Sequence, residues 1–517
     1  MNFYELLYAK KIFDSVYEAR IAGLVDGTIT HLKIPYGATK ISSNVLKDCK
    51  SLKKVVISTS VKSIEPNAFS NLTSLEQITI PDGVESIGNS AFSNCTSLEE
   101  ITIPSSVESL GNYIFAWCEG LKKVTIQNGV PIISVYMFQN CTNLEEIAIP
   151  SSVTSISDSA FYYCENLEEI AIPSSVTSIG KGAFFSCKGL KKFTIPNGIS
   201  TISENMFYDC LSLEEITIPV SVTSIGKNAF YDCKSLEEIT IPSGVTSVGD
   251  YAFYYCESLE EITIPNSITS ISTGMFAYCK GLKEIDIPSN VTSIGNNGFY
   301  YCESLEEIDI PSGATSIGNF AFSDCYSLTQ ITIPSSVTDI GTNAFQSCTS
   351  LTQIDIPNGV TRISNSTFYQ CYNLTQITIP SSVTSIGNYA FYKCTSLTQI
   401  TIPSSVTGIG TNAFQNCTSL TQITIPSGVT SILDYAFSNC THLAQITIPS
   451  NVTRIYKYAF QNCTSLTQIT IPSSVTRIDM AVFSGCTNIT SITINKPANS
   501  ISGAPWGATN ATVTWTG

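Results

Sequence analysis

The chain has 517 residues, of which 13% are charged and 43% are hydrophobic, and its 41 acidic and 26 basic side chains give a net charge of −15. The apolar share is large enough for a packed core and excludes a disordered chain, and the negative charge argues against nucleic acids and anionic membranes, which bind basic patches. The sequence contains two histidines, His31 and His442, which leaves little room for histidine-based catalysis or metal binding.

The N-terminal segment carries apolar side chains at helical spacing between Phe3 and Tyr17. This spacing predicts a helical cap over residues 1–27. Lys10 and Lys11 follow the only apolar stretch, which is shorter than the 7–15-residue apolar core of a signal peptide. We therefore expect no signal peptide, and no membrane-spanning helix either, since no run approaches about 20 apolar residues.

Residues 28–495 repeat every 23 positions. All 19 cysteines fall on one ladder from Cys49 to Cys486, and Leu72 fills the one slot of that ladder without a cysteine. Eight residues after each slot stands an isoleucine, at all 21 positions from Ile34 to Ile494. A fixed period of this length indicates a solenoid, in which each coil packs on the next.

The repeat unit has the form L-x-x-I-x-I-P-x-x-V-x-x-I-G-x-x-A-F-x-x-C-x-x, as in Leu397–Ser419. I-x-I predicts a half-buried strand ended by proline, V-x-x-I-G a second short strand, and x-x-A-F-x-x-C a single helical turn. We predict an α/β repeat solenoid of about 21 coils, with parallel strands on one face and the short strand and helical turn on the other. Coils stacked about 4.8 Å apart would form a rod of about 100 Å.

This unit resembles the BspA-type leucine-rich repeat, also called the Treponema type, over about Ile29 to Ile494. Members of that family are typically surface or secreted adhesion and interaction proteins of bacteria and some protists. The resemblance implies binding and an extracellular or surface location, and it brings no catalytic residues and no cofactor.

The C-terminal residues 496–517 are predicted to form a degenerate last coil. Trp506 follows Phe483 by 23 residues and would occupy the phenylalanine slot. Trp515 would occupy the slot of the first isoleucine of a strand. Two large indoles would then seal the end of the core.

The cysteine ladder has three possible interpretations. Neighbouring slots would lie about 5 Å apart, within disulfide range, but their Cα–Cβ bonds would run parallel rather than converge. The sequence has no C-x-x-C pair of the kind that binds zinc. We therefore predict buried free thiols, with disulfides and a metal site as the alternatives.

The outward positions of the first strand change character along the chain. Five residues after each cysteine slot, Lys and Glu predominate up to Glu307, and Gln follows from Gln330 to Gln468. Residues 320–517 contain five acidic and six basic residues, so the other 36 acidic and 20 basic residues lie in 1–319. The glutamines would form either a structural amide ladder or a polar face for sugars or a neutral protein surface.

The candidate binding residues combine the acidic column with tyrosines that precede the cysteines. The glutamates form either a solvated face or a docking face for a basic partner, with weak calcium sites as a further option, and the tyrosines either pack on one another or bind a ligand. The candidates are Glu215, Glu238, Glu261, Glu284, Glu307, Tyr231, Tyr254, Tyr255, Tyr278, Tyr300 and Tyr301.

These features predict a non-enzymatic surface adhesin or interaction protein that binds a protein or glycan ligand through the faces of the solenoid. No cofactor, metal site, nucleic acid or membrane insertion is expected, and the oligomeric state stays open. The alternative is a phage virion or tail-associated protein, or another assembly component. The expected lack of a signal peptide favours that alternative, as does the resemblance of both chain ends to phage tail-associated proteins.

Overall fold

The computed structural model describes residues 27–34, 36–43 and 45–517, so the predicted helical cap lies outside the described residues except for Gly27. The chain divides into two compact units, of which unit 1 ends at Pro265 and unit 2 begins at Asn266. Each unit is a parallel β-solenoid, and the two contain about 21 coils in total, which confirms the predicted repeat solenoid.

The first strand of each coil follows the I-x-I pattern and alternates between exposed and buried side chains, as in Glu238–Thr240. It pairs in parallel with the first strand of the neighbouring coil, 23 residues away, as Glu238 does with Glu261. With strands numbered in chain order, the first strands of unit 1 are β1 (His31–Lys33), β3 (Lys54–Val56), β5 (Gln77–Thr79), β7 (Glu100–Ile103), β9 (Lys123–Ile126), β11 (Glu146–Ala148), β14 (Lys192–Thr194), β16 (Glu215–Thr217), β18 (Glu238–Thr240) and β20 (Glu261–Thr263). Those of unit 2 are β22 (Glu307–Asp309), β24 (Gln330–Thr332), β26 (Gln353–Asp355), β28 (Gln376–Thr378), β30 (Gln399–Ile400), β32 (Gln422–Thr424), β34 (Gln445–Thr447), β36 (Gln468–Ile471), β38 (Ser491–Ile494) and β39 (Thr512–Trp515).

Each second strand has two residues, of which the second is apolar and is buried in every such strand except β8, where Leu110 is half-buried. In unit 1 these strands are β2 (Lys40–Ile41), β4 (Ser63–Ile64), β6 (Ser86–Ile87), β8 (Ser109–Leu110), β10 (Ile132–Ile133), β12 (Ser155–Ile156), β13 (Ser178–Ile179), β15 (Thr201–Ile202), β17 (Ser224–Ile225) and β19 (Ser247–Val248). In unit 2 they are β21 (Ser293–Ile294), β23 (Ser316–Ile317), β25 (Asp339–Ile340), β27 (Arg362–Ile363), β29 (Ser385–Ile386), β31 (Gly408–Ile409), β33 (Ser431–Ile432), β35 (Arg454–Ile455) and β37 (Arg477–Ile478). The two strands give each coil a first-strand face and a second-strand face.

The third side of each coil, the turn face, does not form the predicted helical turn. The described residues contain neither a helix nor a helical membrane span. The backbone N–H groups of the turn face alternate between local and intercoil hydrogen bonds: Ser93 N donates to Ser90 O at 3.1 Å, whereas Phe92 N donates to Ile114 O of the next coil at 3.0 Å. The alternation requires left-handed φ angles at two positions, here Ser90 (54°) and Asn94 (60°). Intercoil bonding therefore replaces the helical turn, because it satisfies backbone groups that a single turn would leave unpaired.

The core of both units is a stack of phenylalanine rings. Ring centroids are 5.5 Å apart for Phe207 and Phe230 in unit 1, and 5.1 Å apart for Phe391 and Phe414 in unit 2. The repeat motif also packs its glycine tightly, since a Cβ added at Gly88 would lie 2.5 Å from a backbone nitrogen of the preceding coil. The same side chains are therefore buried in coil after coil.

The cysteines lie beside these rings, and all 19 are buried free thiols, as predicted. A cysteine Sγ commonly donates to a phenylalanine carbonyl 26 residues earlier, at 3.2 Å for Cys187 and Phe161 and at 3.1 Å for Cys417 and Phe391. Burial raises the pKa of Cys187 and of Cys417, and it raises the pKa of Cys440 to about 12. The ladder therefore contributes hydrogen bonds as well as small apolar volume.

The last described coil corrects one predicted position. Trp515 pairs with Ile494, and Val513 pairs with Ile492, so 21 residues rather than 23 separate the paired positions. Trp515 therefore lies in the slot of the second isoleucine of the strand, two positions from the predicted one. Trp506 is buried with 3% of its surface exposed.

Candidate functional site

The predicted glutamates and tyrosines lie on different faces of the coils. Glu238 begins β18 on the first-strand face, whereas Tyr231 lies on the turn face, two residues before Cys233. The buried side chains of Cys233 and Leu236 occupy the corner between these positions. The two candidate sets therefore form separate surfaces and not one combined site.

On the first-strand face of unit 1, lysine and glutamate side chains pair across neighbouring coils. The nitrogen–oxygen distance is 2.7 Å for Lys123–Glu146 and 3.0 Å for Lys192–Glu215. The hydrogen bond to the glutamate raises the pKa of Lys123 and of Lys192. The candidate Glu215 is thus already paired with a lysine of its own face.

The next two coils of unit 1 lack this compensation. Glu238 and Glu261 lie opposite each other in the parallel register of β18 and β20. Neither has a salt bridge with any residue that the structure describes. Like charges directly opposite each other are unfavourable across strands, so Glu238 and Glu261 carry negative charge that no salt bridge within the described structure compensates.

From Glu307 onward, the first-strand face of unit 2 uses hydrogen bonds donated by uncharged side chains. Glu284 is exposed, and Glu307 accepts a hydrogen bond from Gln330 Nε2 at 2.9 Å. In later coils threonine hydroxyls donate to a carbonyl one coil earlier, as Thr375 Oγ1 does to Thr352 O at 3.0 Å.

The predicted amide ladder is not formed. Within the described part of the chain, the exposed glutamine side chains of unit 2 beyond Gln330 make no side-chain hydrogen bonds with one another. The exposed glutamines are Gln353, Gln376, Gln399, Gln422, Gln445 and Gln468. Threonine–carbonyl bonds stabilise this face instead, and the amides stay available to solvent or a ligand.

The first-strand face of unit 1 also carries shallow depressions. One has a volume of about 670 Å³ and is lined by charged side chains of both signs, including Lys54, Glu76 and Glu100. Another, of about 550 Å³, lies around Lys123 and Glu168. Open polar depressions of this kind suit recognition of a surface and do not enclose a small molecule as catalytic pockets do.

The turn face of unit 1 carries a continuous series of aromatic rings, which we call the aromatic ladder. Its seven members occupy seven consecutive coils: Tyr113, Tyr136, Tyr162, Phe185, Tyr208, Tyr231 and Tyr254. Centroid distances are 4.5 Å on both sides of Tyr208, with interplanar angles of 2° and 5°. Burial raises the pKa of Tyr231 to about 12.

This stacking determines which part of each predicted tyrosine ring is accessible to a ligand. Both faces of Tyr231 are covered by neighbouring ladder rings, so ring edges rather than ring faces point outward. Tyr255 packs edge-on against Tyr254 at 4.8 Å. The contacts match the interpretation in which the tyrosines pack on one another.

A smaller group of tyrosines lies in unit 2. Tyr278 stacks on Tyr301 at 5.0 Å and meets Tyr300 edge-on at 5.2 Å. The rings of this group are half-buried. Like the ladder of unit 1, they form a packed cluster.

Sequence reasoning missed four members of the turn-face surface. Phe185 belongs to the ladder but is not a tyrosine, and Tyr113 and Tyr136 stand three residues earlier in the repeat than the tyrosines singled out. Trp117, exposed at 47%, was also overlooked. A comparison of equivalent positions among the repeats would have found them, since most other coils have small or polar residues there.

Among the described residues, no group of three or more His, Cys, Asp and Glu side chains is arranged to hold a metal ion. The surfaces described above are open, periodic and polar or aromatic. Chemically, such surfaces can recognise a partner through charge, hydrogen bonds and ring contacts.

The repeats of this chain are similar to those of a known protein family. The chain matches the model of the BspA type leucine rich repeat region, built on six copies, over residues 39–168, 154–283, 270–398 and 384–506. A leucine-rich repeat protein from Bacteroides ovatus ATCC 8483 is 31% identical over 76% of this chain and 92% of that chain, with a TM-score of 0.57.

Two further solved structures are similar over most of the chain. A leucine-rich cell surface protein from Faecalibacterium prausnitzii A2-165 is 25% identical over 94% of this chain and 92% of that chain, with a TM-score of 0.37. A leucine-rich repeat protein from Eubacterium ventriosum ATCC 27560 is 22% identical over 84% and 89% of the two chains, with a TM-score of 0.32. A comparison with functionally curated proteins finds no match.

Proposed function

Because the chain belongs to the BspA-type leucine-rich repeat family, we propose that it is a non-enzymatic surface adhesin that binds a basic protein through the first-strand face of unit 1. The family and its solved relatives support a repeat protein with an interaction or surface function. The adhesin role and the basic partner are the finer part of this proposal.

The proposal rests on an interruption in a regular series of lysine pairs. Lysine pairs occur on the first-strand side of every third coil, at Lys53–Lys54, Lys122–Lys123 and Lys191–Lys192. The next position in this series holds Glu260 and Glu261. We define the acidic segment as Glu214, Glu215, Glu237, Glu238, Glu260 and Glu261.

Earlier coils use their lysines to neutralise neighbouring glutamates, as the Lys192–Glu215 pair does at 3.0 Å. The acidic segment continues for three Glu–Glu rungs, and the third lies where this spacing would place a lysine pair. Glu238 and Glu261 lie opposite each other without a salt bridge to any described residue, and stacked carboxylates repel each other, so the fold gains nothing from this pair, whereas a basic partner would be attracted to it. A solvated face that only keeps the protein soluble is the competing explanation.

The test compares the intact chain with a variant that carries Glu215→Gln, Glu238→Gln and Glu261→Gln. The probes are immobilised cytochrome c, which is a basic protein, and lysine-acetylated cytochrome c, which has lost much of that charge. The wild-type chain should prefer the unmodified probe at low salt and lose that preference at high salt, because salt screens exposed charges. The variant should lose most of the preference while keeping its circular dichroism spectrum.

A matched control changes three glutamates on the second-strand side of unit 1, namely Glu65→Gln, Glu85→Gln and Glu108→Gln. It removes the same net charge but leaves the acidic segment intact, so its preference for the basic probe should persist. Equal binding by the acidic-segment variant and the wild type would contradict the proposal, and equal losses in both variants would point to net charge alone.

A further inference from the structure

The start of the aromatic ladder carries a second surface, which is separate from the acidic segment. Three of the nine large hydrophobic side chains exposed in the described structure fall within 20 residues: Tyr113 (39% exposed), Trp117 (47%) and Ile132 (44%). Tyr113 stacks on Tyr136 of the next coil at 5.0 Å. We propose that this indole-bearing patch, formed by Tyr113, Trp117 and Tyr136 on the turn face, binds an uncharged glycan.

The other coils of unit 1 show that the fold does not require these side chains. The position of Trp117 is occupied by Asn71, Asn94 and Asn140 in the neighbouring coils. Ile132 is the first residue of β10, and the corresponding residue in every other second strand of unit 1 is Lys, Ser or Thr. Polar positions have therefore become apolar in two adjoining coils, at Trp117 on the turn face and at Ile132 on the second-strand face, and exposed apolar side chains that the fold does not require mark binding surfaces.

All three aromatic residues of the patch also occupy unfavourable backbone conformations. The φ angle is 58° at Tyr113, 65° at Trp117 and 53° at Tyr136, in the left-handed region that asparagine and glycine adopt more readily than bulky residues. An asparagine at position 117 would adopt the left-handed φ with less strain and would expose less apolar surface to solvent. Retention of strained, exposed aromatic residues points to a role outside folding.

The patch is the place where the ladder offers a ring face. Inside the ladder, both faces of rings such as Tyr208 are covered, whereas Tyr113 is its first member and has Ser90 at the equivalent position of the coil before. Among the described residues, no ring stacks on the second face of Tyr113. The exposed indole of Trp117 lies four residues further along the same turn.

A sugar ring fits these groups better than a flat apolar ligand does. Its C–H face packs on an aromatic face, and its hydroxyl groups need donors and acceptors at the rim. The exposed Asn112 precedes Tyr113 and the exposed Glu119 follows Trp117 by two residues, and they supply an amide and a carboxylate. The patch thus combines a hydrophobic platform with a polar border.

The charge distribution favours an uncharged glycan over an acidic one. No lysine or arginine occurs in residues 63–121 or in 124–180, so the turn face of these coils has no cation to pair with a sialic acid, sulfate or phosphate. Glu108 and Glu119 would repel such groups. A basic protein segment is the alternative occupant, and the experiment distinguishes the two.

The test applies the full chain to a printed array of neutral, sialylated and sulfated glycans. We expect retention of one or more neutral glycans, and weaker retention of their sialylated or sulfated forms. The best neutral glycan is then titrated against tryptophan fluorescence. Trp117 should dominate the response, because the chain has three tryptophans, of which Trp506 is buried and Trp515 half-buried.

Trp117→Asn and Tyr113→Asn should each weaken neutral-glycan binding about tenfold or more, since both remove a ring face. Both should fold, because asparagine occupies equivalent positions in other coils and tolerates left-handed φ. The matched control is Tyr458→Asn in unit 2, at a residue with a φ of 57° that stacks on Tyr435 at 4.9 Å. Its glycan binding should equal that of the wild type.

The proposal is overturned if the wild-type chain retains no neutral glycan, if it prefers acidic glycans, or if binding survives both patch substitutions. Capture of cytochrome c that is lost in Trp117→Asn would assign the patch to a basic protein instead. The acidic-segment variant should keep full glycan binding. Failure of this site and failure of the proposed protein-binding face are therefore separate results.

Discussion

Units 1 and 2 have the same core and different polar contacts on the first-strand face. Phenylalanine rings stack at 5.5 Å for Phe207–Phe230 in unit 1 and at 5.6 Å for Phe414–Phe437 in unit 2. On the surface, unit 1 joins coils by lysine–glutamate pairs, whereas in unit 2 threonine hydroxyls bind carbonyl groups of the preceding coil. The buried core residues determine the repeat. The exposed positions can change from charged to uncharged side chains without altering the coil.

The strongest test of this comparison is an equal change in the two cores. Phe207→Ala in unit 1 and Phe414→Ala in unit 2 each remove a fully buried ring from an identical stack, and each should lower the free energy of unfolding by about 3–5 kcal/mol. Each coil of a solenoid contacts mainly its neighbours, so the loss should be local. Hydrogen exchange read by mass spectrometry should show reduced protection around the substituted coil.

Exchange in the unsubstituted unit provides the control for each variant. A loss of protection spread evenly over both units would contradict a core made of local, equivalent layers. A much smaller effect in one unit would show that the two cores are not equivalent.

The second test uses the buried thiols at high pH. Burial raises the pKa of Cys187 and of Cys371, so the folded thiol keeps its proton while the unfolded thiol ionises above about pH 8.5. Stability is therefore fully present below that pH and falls above it, by about 1.4 kcal/mol per pH unit for each cysteine. Cys187→Ala and Cys371→Ala should each reduce this slope by that amount, measured by urea unfolding between about pH 9 and pH 11.

Unfolding near pH 7 serves as the reference for both cysteine variants, because neither thiol is ionised in either state there. An unchanged alkaline slope in the two variants would mean that lysine deprotonation, and not the cysteine ladder, limits stability in base.

The third test separates the two surface chemistries. Thr375→Val in unit 2 removes an intercoil hydrogen bond of 3.0 Å and should lower stability by about 0.5–1.5 kcal/mol at any salt concentration. Lys192→Gln in unit 1 removes the pair with Glu215, and its effect should disappear at high salt. Thermal unfolding at low and high ionic strength measures both. A salt-independent effect of Lys192→Gln would contradict the charge-paired description of unit 1.

The smallest expected effect concerns a backbone requirement that the units share. Ser159 in unit 1 and Ala481 in unit 2 have φ angles of 54° and 57°, and the equivalent Gly182 has 57°. Ser159→Gly and Ala481→Gly should each stabilise the chain by about 0.4–1 kcal/mol, since glycine adopts this conformation without strain. Differential scanning calorimetry should show a slightly raised melting temperature, and a lowered one in either variant would show that the entropy lost by glycine outweighs the strain.

The candidate surfaces show which contacts the sequence could predict and which it could not. The glutamate column was visible because position in the repeat places every member on one face, and β18 and β20 have the expected register. Whether a glutamate is paired depends on the reach of a side chain in another coil, as with Lys192 and Glu215. The aromatic ladder combines two repeat positions, Tyr136 and Tyr162, whose contact at 6.0 Å no single column predicts.

The sequence by itself determined the period, the two strands and the inward residues. Each buried position requires the same type of side chain in every coil, so the pattern can be read from residues such as Phe207 and Cys187. Tertiary structure alone decided the turn face, where Phe92 N bonds to Ile114 O of the next coil and removes the predicted helical turn. It also decided that Trp515 pairs with Ile494, and that Tyr113 keeps an open ring face. Local pattern specifies what is buried, whereas hydrogen bonds and ring contacts between coils depend on atoms 21 or more residues away.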